Sequence, residues 1–188
     1  MQSSRIVSSE AEALILVDAD DQPVGEMSKA EAHNGDGALH RAFSVFLFNS
    51  RGELLLQQRA EQKRLWPGFW SNSCCSHPRV GETMDVATGR RLDDELNLTA
   101  ELEYVYRFRY QAYFSEAGSE HELCHVFLGR CPDTVSVNES EIAAIRFVPA
   151  ADVARMLDDE PERYTPWFKM EWERLNSEFA DSLSRYAV

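Results

Sequence analysis

An α+β fold, a mixed β-sheet with helices packed outside it, is predicted by three observations on the 188-residue chain. Short apolar or alternating runs bounded by turn residues, which read as strands, outnumber the helical patterns. The helical patterns come singly and late, so they cover a sheet rather than bundle with one another. At 44% hydrophobic, the chain carries enough apolar side chain to bury one core. A single domain over residues 1–188 is therefore expected, with residues 1–12 flexible, an N-terminal hairpin and a C-terminal helix.

The elements follow in order. Ala13–Val17 and Val24–Met27 flank Asp-Ala-Asp-Asp-Gln-Pro, a turn signal, and read as the hairpin. Lys29–Gly37 is polar, holds two glycines and reads as loop. Leu39–Phe48 is a long buried strand, and Asn49-Ser50-Arg51-Gly52 turns it into Glu53–Arg59. A charged loop to Trp66 and Pro67-Gly68 precedes a short strand over Phe69–Ser73. Thr83–Leu96 has helical spacing, with Val86, Ala87, Leu92 and Leu96 on one face. Leu102, Tyr104, Tyr106, Phe108 and Tyr110 alternate, which predicts a strand with an aromatic face. Ser115–Ser119 reads as a turn, Glu120–Arg130 and Ile142–Val148 as strands, and Ala150–Leu157 as a short helix. Thr165-Pro166 then opens the last helix as N-cap and first-turn proline. Its apolar stripe is Trp167, Met170, Leu175, Phe179 and Leu183.

Charge and cysteines narrow the function. Nineteen Lys+Arg against thirty-two Asp+Glu give −13, which argues against a general nucleic-acid binder. A small anion held by a few local cations remains compatible with it. No apolar run reaches the length of a membrane span, and Ala13–Val17 is too short for a signal peptide. A cytoplasmic location is expected, where Cys74, Cys75, Cys124 and Cys131 stay reduced. Nothing demands more than a monomer.

Four patterns could carry chemistry. His121-Glu122-Leu123-Cys124-His125 spells H-E-x-x-H, a zinc-peptidase motif when helical. Here it follows a turn and pairs as a hairpin with the aromatic strand, so the two histidines lie roughly 13 Å apart, too far for one ion. The same strand geometry puts Glu120 and Glu122 on one face, either as a solvated edge or as metal ligands or acid–base groups. Cys75-Ser76-His77-Pro78 places a cysteine beside a histidine, where a thiol is either buried and inert or tuned for reaction. Finally, Ser76, Glu82, Arg90, Leu92, Asp94, Glu95, Asn97 and Leu98 follow the spacing of the Nudix box, whose helix presents carboxylates to a diphosphate-bound cation. Ser76 replaces its first glycine, Arg91 a glutamate and Asn97 its last glycine. A box altered in this way points to a retained fold with changed chemistry.

Taken together, Ala42–Asn49, Trp66-Pro67-Gly68, Trp70-Ser71-Asn72-Ser73, Cys75-x-His77-Pro78, Glu120-x-Glu122 and Thr165-Pro166-Trp167 resemble type 1 isopentenyl-diphosphate delta-isomerases, which have a Nudix-like fold. The resemblance covers roughly residues 10–175 and carries motifs that Nudix hydrolases lack. It implies interconversion of isopentenyl and dimethylallyl diphosphate, a small prenyl diphosphate substrate, with a Nudix-type diphosphate hydrolase as the alternative. It implies Cys75 and Glu122 as the acid–base pair, Tyr110 as a hydrogen-bond partner of the acidic group and Trp167 as the ring that stabilises the cation. It implies that His33, His40, His77, Glu120 and Glu122 surround one Mn²⁺, Zn²⁺ or Mg²⁺. It also implies Lys29, Arg59 and Lys63 as diphosphate-binding residues and Glu95 as a ligand of a second, diphosphate-bound Mg²⁺. The C-x-H spacing selects Cys75 over Cys74, which is expected to be structural.

Overall fold

A computed structural model describes residues 6–187. Its strands are β1 (Ala13–Val17), β2 (Pro23–Ser28), β3 (His40–Phe48), β4 (Glu53–Arg59), β5 (Trp70–Ser71), β6 (Cys74–Ser76), β7 (Leu102–Ser115), β8 (Gly118–Arg130) and β9 (Ile142–Pro149). The helices are α1 (Lys29–Ala32), α2 (Met84–Leu96), α3 (Ala150–Asp159), α4 (Pro166–Glu178) and α5 (Ala180–Leu183). The predicted α+β class is therefore the observed one. No described helix is long and apolar enough to cross a membrane.

The sheet is mixed and centred on β3. Strand β8 runs parallel to β3 from His40↔Glu122 to Phe48↔Arg130, while β6 runs antiparallel to it, with Ser44↔Cys75. Long β7 folds back on β8, and β9 pairs with β4. Strand alternation sends Phe43, Val45 and Leu47 to one face, where they pack with Leu92 and Leu96 of α2. Phe46 and Phe48 go to the other face, against Phe168, Trp172 and Leu175 of α4. Helices thus cover both faces, and the starts of β3 and β8 meet at one end of the sheet.

Several local expectations change. The stretch over Lys29–Gly37 contains the single turn α1, because Ser28 accepts from the Glu31 amide at 3.3 Å and Glu31 follows at capping-box spacing. The strand over Phe69–Ser73 splits, since Asn72 and Ser73 direct their side chains to backbone partners. Asn72 donates to the Val45 and Cys74 carbonyls at 3.2 and 3.0 Å, and the Ser73 hydroxyl donates to Leu55 at 2.6 Å. A bulge between Tyr104 and Tyr106 breaks the aromatic alternation, so Tyr104 is half exposed while Tyr106 and Tyr110 are buried. The 115–119 turn is tighter than expected, and Gly118, at φ +136°, abuts the His33 carbonyl so closely that no Cβ fits. Val86 and Met170 face outward rather than into the core. The last helix breaks at Phe179 into α4 and α5.

Candidate active site and metal centre

Three separate stretches of chain deliver the histidines. His33 caps the C-terminus of α1, His40 opens β3 and His77 follows β6. Glu120 and Glu122 project from β8, with Glu122 directly across from His40 and from Tyr110 of β7. The hydrogen-bonded tie from the Ser119 amide to the His33 carbonyl, 3.0 Å long, seats α1 against β8. One potential ligand atom from each of His33, His40, His77, Glu120 and Glu122 lies within 4.8 Å of all the others.

The donor set fits a divalent cation. The Nδ1 of His33 lies 2.7 Å from the Lys29 carbonyl, and that of His40 lies 2.7 Å from the Ala38 carbonyl. A carbonyl only accepts, so both Nδ1 atoms carry a proton and both Nε2 atoms, the ones left to bind a metal, face the cluster. His40 Nε2 is buried with no hydrogen-bond partner. Imidazole nitrogens mixed with carboxylates suit Mn²⁺, Zn²⁺ or Mg²⁺.

Charge states differ sharply among these groups. Burial pushes His77 well below the ordinary histidine range, so it is neutral, and its Nε2 sits 2.9 Å from Glu122 Oε1. For His33, burial opposes the charge but Glu120, 2.8 Å away, prevails and raises it to about 9. Burial alone would raise the Glu122 carboxyl; the neighbouring His40 imidazole, 3.7 Å away, the Tyr110 hydroxyl and the His33 charge outweigh it, and the group is held below the usual carboxylate range. Tyr110 donates its hydroxyl to Glu122 Oε2 at 2.7 Å, and burial and the Glu122 charge keep that phenol protonated.

A cavity of about 420 Å³ adjoins the cluster and is lined by His33, His77, Glu120, Glu122 and Tyr110. Its walls also hold Cys75, Trp167 and a group of cations: Lys29, Arg59, Lys63, Arg64 and Arg91. Burial pushes the Cys75 thiol up to about 12, so it carries its proton at neutral pH. Trp167 is fixed by its indole N–H, which donates to Ser71 Oγ at 3.0 Å, and by edge-on contact with Trp66. The Arg59 guanidinium lies 5.4 Å from the Trp167 ring centre and donates to the Leu65 and Trp66 carbonyls. Lys29 donates to Ser8 at 2.9 Å, which brings the segment before β1 to the cavity mouth. Ile6, Ser8 and Glu10 of the stretch expected to be flexible thus border the cavity; residues 1–5 lie outside the described residues.

The structure brings most of the predicted site residues together. Glu95 is the exception: it is buried and does not line the cavity, because Arg91 pairs with its carboxylate and Gln57 reaches it at 3.4 Å. Cys74 points away into the core beneath α2. His121 and His125 do not converge. His121 meets Arg109 and the Gly37 carbonyl, His125 pairs with Asp21 at 3.0 Å, and their segment is strand, so the peptidase motif is accidental. Sequence reasoning missed Ser76, Arg91 and Glu141 as cavity residues. Arg91 left one trace, as the box position where an arginine replaces a glutamate; Glu141 left none.

Comparison with known proteins follows the same lines. Residues 38–168 match the family model described as NUDIX domain. The chain is 42% identical to an isopentenyl-diphosphate Delta-isomerase 1 of Photorhabdus laumondii, over 92% of this chain and 99% of that protein. It is 45% identical to an isopentenyl-diphosphate Delta-isomerase of Burkholderia multivorans, over 87% of this chain and 92% of that one. Among solved structures, DR0079 from Deinococcus radiodurans superposes with a TM-score of 0.71 at 22% identity, covering 87% of this chain and 98% of its own. A MutT protein from Methanosarcina mazei gives 0.62 at 19% identity, covering 74% and 94%. These two show the fold.

Proposed function

The chain belongs to the family of isopentenyl-diphosphate Delta-isomerases, and from that premise we propose that it interconverts isopentenyl and dimethylallyl diphosphate by adding one proton and removing another. The observation that carries this reading is the meeting of Cys75, Glu122 with its Tyr110 partner, and Trp167 on one cavity.

The chemical problem is an unactivated alkene. Protonating its terminal carbon makes a tertiary carbocation, and a different carbon must then lose a proton. Two groups are needed, one bearing a proton and one free of it, with water kept out. Cys75 and Glu122 come from β6 and β8, the strands on either side of β3, and both face the cavity. Cys75 carries a proton and Glu122 does not. In the direction of dimethylallyl diphosphate, the thiol delivers a proton to the alkene and the carboxylate takes one from the carbon beside the C–O bond. The face of Trp167 offers its electron-rich ring to the cation between those steps. Lys29, Arg59 and Lys63 hold the diphosphate. His33, His40, His77, Glu120 and Glu122 would hold a divalent ion, whose charge would fix Glu122 and tune its proton affinity. Glu95 would serve a diphosphate-bound Mg²⁺ by giving up its Arg91 partner.

The hydrolase alternative is disfavoured by the helix itself. Arg91 stands where the box has a glutamate, so one carboxylate of the set is lost, and Glu82 is paired with Arg90 at 2.7 Å. The test is incubation with isopentenyl diphosphate in deuterated water, followed by NMR. Dimethylallyl diphosphate carrying deuterium is expected. Phosphate release without isomer would overturn the reading in favour of hydrolysis.

A further inference from the structure

We propose that Glu141 is the positioning residue of the diphosphate subsite: its carboxylate holds Lys63 and Arg91 side by side on the cavity wall. This rests on the isomerase reading for the identity of the anion, but not for the arrangement itself. Glu141 is only 3% exposed, and it pairs with Lys63 and, at 3.0 Å, with Arg91. Both cations line the cavity, as Glu141 does.

The pairing answers a physical difficulty. A lysine side chain carries high rotamer entropy, and a buried ammonium tends to shed its proton. Burial does lower the proton affinity of Lys63, and Glu141 followed by Glu95 are the groups that oppose the loss, while Arg59 and Arg91 add to it. Without Glu141, Lys63 loses both its charge support and its tether. Arg91 would keep only Glu95, which aims it back toward α2. One buried carboxylate shared by two cations therefore fixes their spacing, while leaving that wall cationic, since Arg59, Lys63 and Arg91 line it with Glu141.

The backbone supports the same role. Glu141 accepts at its carbonyl from the Ala60 amide, 3.0 Å away, which ties it to the loop bearing Lys63. Its amide donates to the Asn138 carbonyl at 3.0 Å, and the Asn138 amide donates to Glu95 at the end of α2 at 2.8 Å. Gln62 reaches the Ser140 carbonyl at 2.9 Å. The 138–141 segment therefore bridges the two elements that carry the cations.

Glu141→Gln tests this. The KM for isopentenyl diphosphate should rise roughly ten- to hundredfold, the scale of one misplaced charged hydrogen-bond group, with kcat changed by less than about threefold. The dissociation constant of inorganic diphosphate, measured by calorimetry at fixed Mg²⁺, should rise by a similar factor. Combined with Lys63→Ala, the effects should be less than additive, since both remove one contact. An unchanged KM in folded Glu141→Gln, or a loss confined to kcat, overturns the proposal. Should Glu141→Gln fail to fold, Glu141→Asp carries the test: it keeps the charge and should raise KM by a smaller factor, and an unaltered KM there overturns it. If the wild-type protein binds inorganic diphosphate but forms no isomer, the isomerase reading fails, and the diphosphate affinities still decide the role of Glu141.

Discussion

Two regions of this molecule hold clustered glutamates, and they are prepared for different work. Glu82, just before α2, and Glu95, on it, are each matched to an α2 arginine, Arg90 and Arg91. At the starts of β3 and β8, Glu120 and Glu122 face three imidazoles whose Nε2 atoms lie 2.8, 3.7 and 2.9 Å from the carboxylates. A guanidinium is permanently charged and satisfies a carboxylate completely, whereas an imidazole can stay neutral and offer a lone pair. The first region is consequently a closed ion-pair lattice and the second an open coordination shell. The difference explains how one scaffold can leave diphosphate cleavage behind: the helix keeps its shape while the reactive groups gather at the sheet end.

The largest effect should come from the sheet end. Glu122→Gln keeps the side-chain shape but cannot cycle a proton, so turnover should fall ~10²–10⁴-fold at any Mg²⁺ concentration, with substrate still bound. Cys75→Ala should be at least as severe, while Cys74→Ala, which touches only the core under α2, should keep most activity. Equal loss in the two cysteine variants, both folded, would break the comparison at its base.

Metal content sharpens it next. Crystals soaked in Mn²⁺ should show one strong anomalous peak among His33, His40, His77, Glu120 and Glu122. His40→Ala should lose that peak and most activity, because His40 Nε2 has nothing else to bind. An ion at His121 or His125 would contradict the assignment.

A smaller effect is expected on α2. Glu95→Gln should slow turnover roughly tenfold, the low end of what losing a charged contact costs. Raising Mg²⁺ should recover part of it, since mass action compensates for a weakened ligand. No magnesium concentration should recover Glu122→Gln. Recovery of both, or of neither, would erase the functional distinction between the two regions.

Much of this was legible in the sequence because strands and motifs are local. Alternation in β8 put Glu120 and Glu122 on one face and turned His121 away, and both are seen. Helical spacing marked the stretch from Thr83 to Leu96, and Thr83 proves to be the N-cap of α2. The substituted box glycine at Asn97 also has a local reason: the residue sits in the left-handed region at φ 50°, which asparagine tolerates. What stayed hidden depends on distant partners. The Glu141 pairings span seventy-eight and fifty residues of chain, and no spacing rule encodes them. The Tyr104 reversal needed a bulge, which strict alternation cannot anticipate. Nor could composition show that Glu95 would be captured by Arg91, since i,i+4 pairs are common on exposed helix faces and this one is buried.

A third buried glutamate supplies the smallest and cleanest check on the idea that partners decide charge. Glu171 on α4 is fully buried and Glu122 nearly so, but among the described residues no arginine or imidazole is paired with Glu171. Its Oε1 lies 3.5 Å from Cys124 Sγ, and its Oε2 has no partner. Burial, aided by the Glu122 charge, outweighs hydrogen bonds from Ser44 and Cys124 and pushes its carboxyl up to about 8. A raised carboxyl means the folded chain keeps a proton that the unfolded chain releases near pH 4.5. Stability should therefore fall as pH rises from about 4.5 to about 8, and the full penalty should stand above that window. Glu171→Gln mimics the neutral form and removes the slope. It should leave stability nearly unchanged at pH 4.5 and raise it by about 1–4 kcal/mol at pH 8.5. Turnover should change by less than about threefold, since Glu171 does not line the cavity. Denaturant unfolding of both proteins at the two pH values makes the measurement. A parallel pair of curves, offset equally at both pH values, would mean that Glu171 is ionised in the folded state and that burial without a cationic partner does not neutralise a carboxylate here.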